Sequence, residues 1–284
     1  MFRNALVGVD GSSAAHDAVA LAGRLLADDG RLTLVNVRYG GPPPPYVVTP
    51  DLVEQEQAAS DELLRREREA AGREVELLSV VSPSPGAALH EQAEERSADL
   101  LVVGSSRRTA LGRVTLGDDA RRALNGAPCA VAIAARSYAE KDAPLARVGV
   151  GYDGSPESLA ALEAARAIAG PVGAELYALE VVSIPTYAYA AAVPPSAGEV
   201  IDAELEQAQQ RMGALPGVEG RAVYGLTGEE LAAFGDRLDL LVVGSRGYGP
   251  LKRLVLGSTS DYLQRHARCS LLVLPRAAIA AGKG

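Results

Sequence analysis

Residues 244–259 read GSRGYGPLKRLVLGST. Glycines stand at Gly244, Gly247 and Gly257, and two hydroxyl residues, Ser258 and Thr259, follow the last of them. Glycine adopts positive φ and lets a ligand approach the backbone closely. A turn of successive N–H groups makes a concavity that attracts anions. The residues after Gly257, STSDYLQRHA, read as a helix. The first N–H groups of a helix have no intrahelical partner and sit at the positive end of its dipole. With the Ser258 hydroxyl and Arg246 alongside, the set suits a polyphosphate held from two sides. One glycine alone would only end a strand or cap a helix. Three at this spacing, followed by a hydroxyl pair, point to phosphate.

Other nucleotide and catalytic signatures are missing from the places where they would act. There is no GxxxxGK[ST], the first strand leads into DGS rather than GxGxxG, and there is no GxSxG. His16, His90 and His266 are scattered. Cys129 and Cys269 have neither CxxC spacing nor a neighbouring histidine, which argues against zinc and against a disulfide framework. They read as small buried residues at the start of strands.

The elements that must position the glycine segment occur twice. ALVGVDGS (5–12) returns as VGVGYDGS (148–155), ADLLVVGSS (98–106) as LDLLVVGSR (238–246), and APCAVAIA (127–134) as ARCSLLVL (267–274). Repeats of about 140 residues are too long for a solenoid and indicate two tandem domains, 1–140 and 141–284. The seam lies in SYAEKDAPL (137–145). In each copy, short Val- and Leu-rich runs alternate with amphipathic ones. Such runs fit strands buried on both faces of a parallel sheet, giving an α/β, doubly wound architecture. Ser155 is placed as an N-cap with Pro156 at the first helical position and Gly170 past the helix end. Thr227 and Glu230 have capping-box spacing. Two Pro-rich stretches, 40–50 and 184–197, read as loops at the carboxyl end of the sheet, where open α/β folds place ligands.

A net charge of −8 argues against nucleic acid and anionic membranes as partners. No apolar run approaches the ~18 residues that span a bilayer. MFRNALVGVD reads as a first strand rather than a signal peptide, so a cytoplasmic location is expected.

The pattern G-x2-G-x9-G-[ST] after an apolar strand, with DGS after the first strand, resembles the universal stress protein family over nearly the whole chain. The resemblance implies a five-stranded parallel sheet of order 3-2-1-4-5 in each domain. It also implies ATP as ligand, often with a divalent cation such as Mg2+. Asp153 would then meet the ribose, backbone near Val181 the adenine, and Gly244, Gly247, Gly257 and Ser258 the phosphates. In the first copy Asp10, Val37, Gly104 and Gly117 match, but Arg107 replaces the second glycine and Asp118 the serine. The lost hydrogen bond and added repulsion amount to about 3–5 kcal/mol, some two to three decades of affinity. The expected reading is a nucleotide-binding regulator with its main site in the second copy. An interaction scaffold with structural or no nucleotide stands as the alternative, and a slow ATPase ranks last, because no general base adjoins the phosphate motif. The last strand of each copy is an apolar edge; pairing the two would make an internal pseudo-dimer, and leaves room for a homodimer of whole chains.

Overall fold

The structure is a computed structural model, and it describes residues 1–40, 50–105, 125–141, 144–183, 197–245, 254 and 257–275. The first half comprises β1 (Phe2–Gly8), α1 (Ser13–Leu25), β2 (Leu26–Tyr39), α2 (Pro50–Ala71), β3 (Glu76–Ser82), α3 (Pro85–Glu95), β4 (Leu100–Gly104) and β5 (Ala130–Ala134). The second comprises β6 (Arg147–Gly151), α4 (Pro156–Val172), β7 (Glu175–Val182), α5 (Ala197–Gly213), β8 (Glu219–Tyr224), α6 (Thr227–Gly235), β9 (Leu240–Gly244), α7 (Ser258–His266) and β10 (Ser270–Leu274).

The strands form one ten-stranded sheet in the order β3-β2-β1-β4-β5-β10-β9-β6-β7-β8. Each half is parallel and has the order 3-2-1-4-5. The halves meet where β5 and β10 pair antiparallel, with Val131 opposite Val273, Ala132 opposite Leu272, and Ile133 opposite Leu271. That pairing covers two apolar edges that would otherwise invite aggregation. It also joins the cores. One layer contains Ala5, Leu100, Ala132, Leu272 and Leu240; the layer on the other sheet face contains Leu6, Leu101, Val131, Leu271 and Leu241. Each layer therefore runs unbroken across the seam.

An aspartate sets the start of the first strand in each half. Asp99 accepts hydrogen bonds from the Arg3 and Asn4 amides at 2.8 and 2.9 Å. Asp239 accepts from Ala146 and Arg147 at 3.0 and 2.9 Å. The connecting segment is docked as well. Buried Asp17 of α1 accepts from the Ser137 and Ala139 amides, both at 2.9 Å. Tyr138 is buried beside it.

Two local expectations are corrected, and one strand is longer than its apolar run. The helix α4 does not end before Gly170; it continues through Pro171, and Gly173 forms a left-handed C-cap at φ 65°. Thr227 is the first helical residue of α6 rather than its cap; Leu226 holds the cap position and no side chain bonds the helix start. The second strand begins at Leu26, well before the apolar run. Pairing of Phe2 with Leu26 across a register shift extends it, and the Arg73 guanidinium donates to the carbonyls of Ala27, Asp28 and Gly30.

Cys129 and Cys269 sit one residue ahead of β5 and β10, both buried and free. Burial pushes both thiols up to about 12. The thiolate is the reactive species, so neither cysteine should be alkylated by iodoacetamide in the native protein at pH 8. Mass spectrometry with and without denaturant checks this; native labelling of either would contradict the packing.

Candidate functional site

The sequence Asp-Gly-Ser folds the same way in both halves. In the second, the Ser155 amide donates to Asp153 Oδ1 at 3.0 Å, Gly154 turns the chain at φ +75°, and Ser155 Oγ accepts from the Ser158 amide at 3.2 Å, capping α4. In the first, the Ser12 amide donates to Asp10 Oδ1 at 2.9 Å, Gly11 has φ +73°, and Ser12 Oγ caps α1 through the Ala15 amide at 3.2 Å. Positive φ explains the glycine. The serine ends the turn and starts the helix. The outcome is an exposed aspartate at the carboxyl end of the first strand with one oxygen fixed by the turn.

Gly244 and Gly104 have a packing reason of their own. A Cβ on Gly244 would lie 2.8 Å from the Glu157 carbonyl oxygen, and one on Gly104 would lie 2.1 Å from that of Ala14. Glycine here lets the first turn of α4 or α1 rest directly on the end of the fourth strand. Gly257 is different. It caps α7 at φ −77°, ψ 168°, backbone that any residue adopts, and it offers no side-chain cap. Nothing in its own conformation demands a glycine.

These parts meet at the carboxyl ends of β6, β7 and β9. A single cleft there is lined by Asp153, Val181, Gly244, Gly257, Ser258 and Thr259. Six of the residues picked from sequence are thus brought together. Arg246 and Gly247 lie outside the described residues. In the first half Asp10 lies two residues beyond β1, Val37 lies near the end of β2 and Gly104 ends β4, while Gly117, Arg107 and Asp118 lie outside the described residues, as do most of the two Pro-rich loops.

Sequence reasoning missed several lining residues. Tyr152 follows β6, Glu157 and Ser158 lie in the first turn of α4, and Thr227 opens α6. Their signal was available: each begins a helix, or ends a strand, whose neighbour carries a motif residue. The described lining holds two carboxylates, Asp153 and Glu157, and no lysine or arginine. Within the described lining, the groups suited to an anion are the N-terminus of α7 and its hydroxyls. Among the described residues no group of three His, Cys, Asp or Glu side chains is placed to hold a metal ion.

Comparison with known proteins agrees with the duplicated layout. The model of the universal stress protein family matches residues 1–135 and again 145–275. A universal stress protein of Mycobacterium tuberculosis is 29% identical over 95% of this chain and 97% of its own length. Another from the same organism is 33% identical over 74% of this chain and 72% of its own. Among solved structures, a universal stress protein from Archaeoglobus fulgidus superposes with a TM-score of 0.69 at 19% identity, covering 96% of this chain and 98% of that one. That likeness is one of fold. No helix among the described residues is long and apolar enough to cross a membrane.

Proposed function

The chain belongs to the universal stress protein family, and from that premise we propose that it is an ATP-binding regulator of the stress-response type, with the nucleotide held mainly by the second of two domains, 1–140 and 141–284. One observation carries the reading. The uncapped start of α7, preceded by a glycine whose backbone angles do not require one, faces the same cleft as Asp153 and Val181. A glycine standing where its conformation does not need one suits close approach by a phosphate.

In this reading the Gly257, Ser258 and Thr259 amides and the two hydroxyls take phosphate oxygens. Gly247 and Arg246, outside the described residues, are assigned to the phosphates from the sequence pattern alone. The Asp153 carboxylate, oriented by its bond from Ser155, accepts the ribose hydroxyls. Backbone near Val181 meets the adenine edge. The protein supplies no three-ligand metal cluster among its described residues, so Mg2+ would ride on the phosphates. A cofactor of this kind supplies charge and a recognisable shape. Turnover is expected to be slow, because Asp153 stands at the ribose end. Binding state, rather than hydrolysis, would then set conformation or partner choice.

The test is direct. The purified protein is saturated with ATP and Mg2+, desalted and heat-denatured, and the supernatant is read by absorbance and mass. Release of an adenine nucleotide in proportion to protein is expected. Release of none, with no heat of ATP binding, would favour the scaffold reading.

A further inference from the structure

A second cavity, about 490 Å³ in volume, lies under α6 on the edge side of the second half. It is distinct from the nucleotide cleft and shares only Leu179 and its neighbourhood with it. Three guanidinium groups line it: Arg147 at the start of β6, Arg221 on β8 and Arg237 after α6. Among the described residues none of the three makes a side-chain hydrogen bond or ion pair. Between them lie the rings of Phe234 and Tyr177 and the apolar side chains of Leu179, Val223 and Leu238. The Tyr177 hydroxyl is tied to Glu175 at 2.7 Å, so its ring, not its hydroxyl, serves the cavity. Two carboxylates, Glu219 and Glu230, also line it. Three cations against two anions leave a cationic excess.

The duplicated fold supplies an internal control. In strand register Gly149 stands where the first half has Leu6: one is opposite Leu241 and the other opposite Leu101. Leu6 is fully buried, whereas the site of a Gly149 side chain is occupied by the tips of Leu238 and Phe234. Arg221 pairs with Leu179 as Leu78 pairs with Val35. Arg147 takes the position of Asn4, since each donates its amide to the aspartate before the fourth strand. In the first half Asn4 Nδ2 closes this corner by donating to the Arg96 carbonyl at 2.6 Å, and Arg96 pairs with Glu76 at 2.7 Å. The first copy has apolar or mutually satisfied groups at these positions. The second has, among the described residues, cations without a hydrogen-bond or ion-pair partner around an apolar hollow.

We propose that the cavity formed by Arg147, Arg221 and Arg237 with Tyr177, Leu179 and Phe234 binds a small organic carboxylate with an apolar body. Its volume falls within the range of small-molecule sites, and an apolar lining with a few oriented polar groups is their usual make-up. Guanidinium groups pair with a carboxylate in two-point fashion. The aromatic and aliphatic walls take the hydrocarbon. Because the arginines are exposed, affinity should fall as salt rises.

Sodium octanoate is the probe, titrated calorimetrically into the full chain at low salt. Saturable binding at one site per chain is expected. Octanamide, the neutral analogue, should bind at least tenfold more weakly. The triple variant Arg147→Gln, Arg221→Gln, Arg237→Gln should lose at least tenfold in octanoate affinity yet bind ATP as the unaltered protein does. Should that variant misfold by circular dichroism, Arg221→Leu, which copies Leu78 of the first half, takes its place with a smaller loss expected. No saturation by octanoate, equal affinity for octanamide, or unchanged binding in a folded variant would each overturn the proposal. Loss of octanoate binding in Gly257→Glu, or its displacement by ATP, would move the ligand to the nucleotide cleft and overturn it too. Saturation by an extended peptide along β8 in place of octanoate would make the surface a protein-docking edge instead.

Discussion

Substituting Leu272 by Asp should destabilise the protein by about 5 kcal/mol. Leu272 is fully buried and faces Ala132 across the antiparallel seam. Losing its burial removes roughly 1.5–3 kcal/mol. An unpaired carboxylate in that apolar layer adds several kcal/mol unless it takes up a proton. The damage should also spread. Both core layers cross the β5–β10 junction, so the unaltered chain should unfold as one cooperative unit, and the variant should show separate or early-melting halves. Val131→Asp, on the opposite sheet face, should behave alike. Urea unfolding followed by circular dichroism, with small-angle scattering for compactness, reads both effects. Wild-type midpoints and dimensions in either variant would contradict the seam.

Gly257→Glu should reduce ATP affinity about a hundredfold or more while the fold survives. A carboxylate ~5 Å from a phosphate charge at an effective dielectric near 20 repels by roughly 3 kcal/mol, which is about two decades. Bulk at the same point adds to this. The cost to folding should be small. The backbone at Gly257, φ −77° and ψ 168°, accepts any side chain. Losing a glycine cap costs at most about 1 kcal/mol, and a negative charge near a helix N-terminus returns about 0.3–1 kcal/mol. Thermal melting should therefore stay near the wild-type value. A folded variant that binds ATP normally would remove the phosphate site from this helix end.

Much of the fold was legible because buried parallel strands write themselves as continuous Val and Leu runs, and here they do so twice. LLVV before Gly104 and again before Gly244, and DGS after each first strand, fixed the halves and their register against one another. The site was legible where one residue has one reason to be present. Asp153 and Ser155 belong to a turn whose geometry follows from their types. Gly244 was harder, since contact with the Glu157 carbonyl already demands glycine there, and phosphate need not be invoked for it. Helix ends were misread where local spacing competed with tertiary contact. Thr227 has the right neighbour for a capping box, yet the chain enters α6 at Leu226. Gly170 resembles a stop, but Pro171 fits within the last turn of α4 and Gly173 supplies the left-handed residue. The start of β2 was invisible because it depends on Arg73, more than forty residues along the chain. The arginine-lined cavity left no motif at all. It follows from single differences between the copies, Gly149 against Leu6 and Arg221 against Leu78, that matter only once the strands are aligned.

The central claim is that the two halves share a fold but not a nucleotide site of equal strength. Titration calorimetry of ATP with Mg2+ into the intact chain tests it most directly. The account predicts one strong site per chain, lost in Gly257→Glu and untouched by Gly117→Glu. Two equivalent tight sites, or one that vanishes with Gly117→Glu instead, would contradict it.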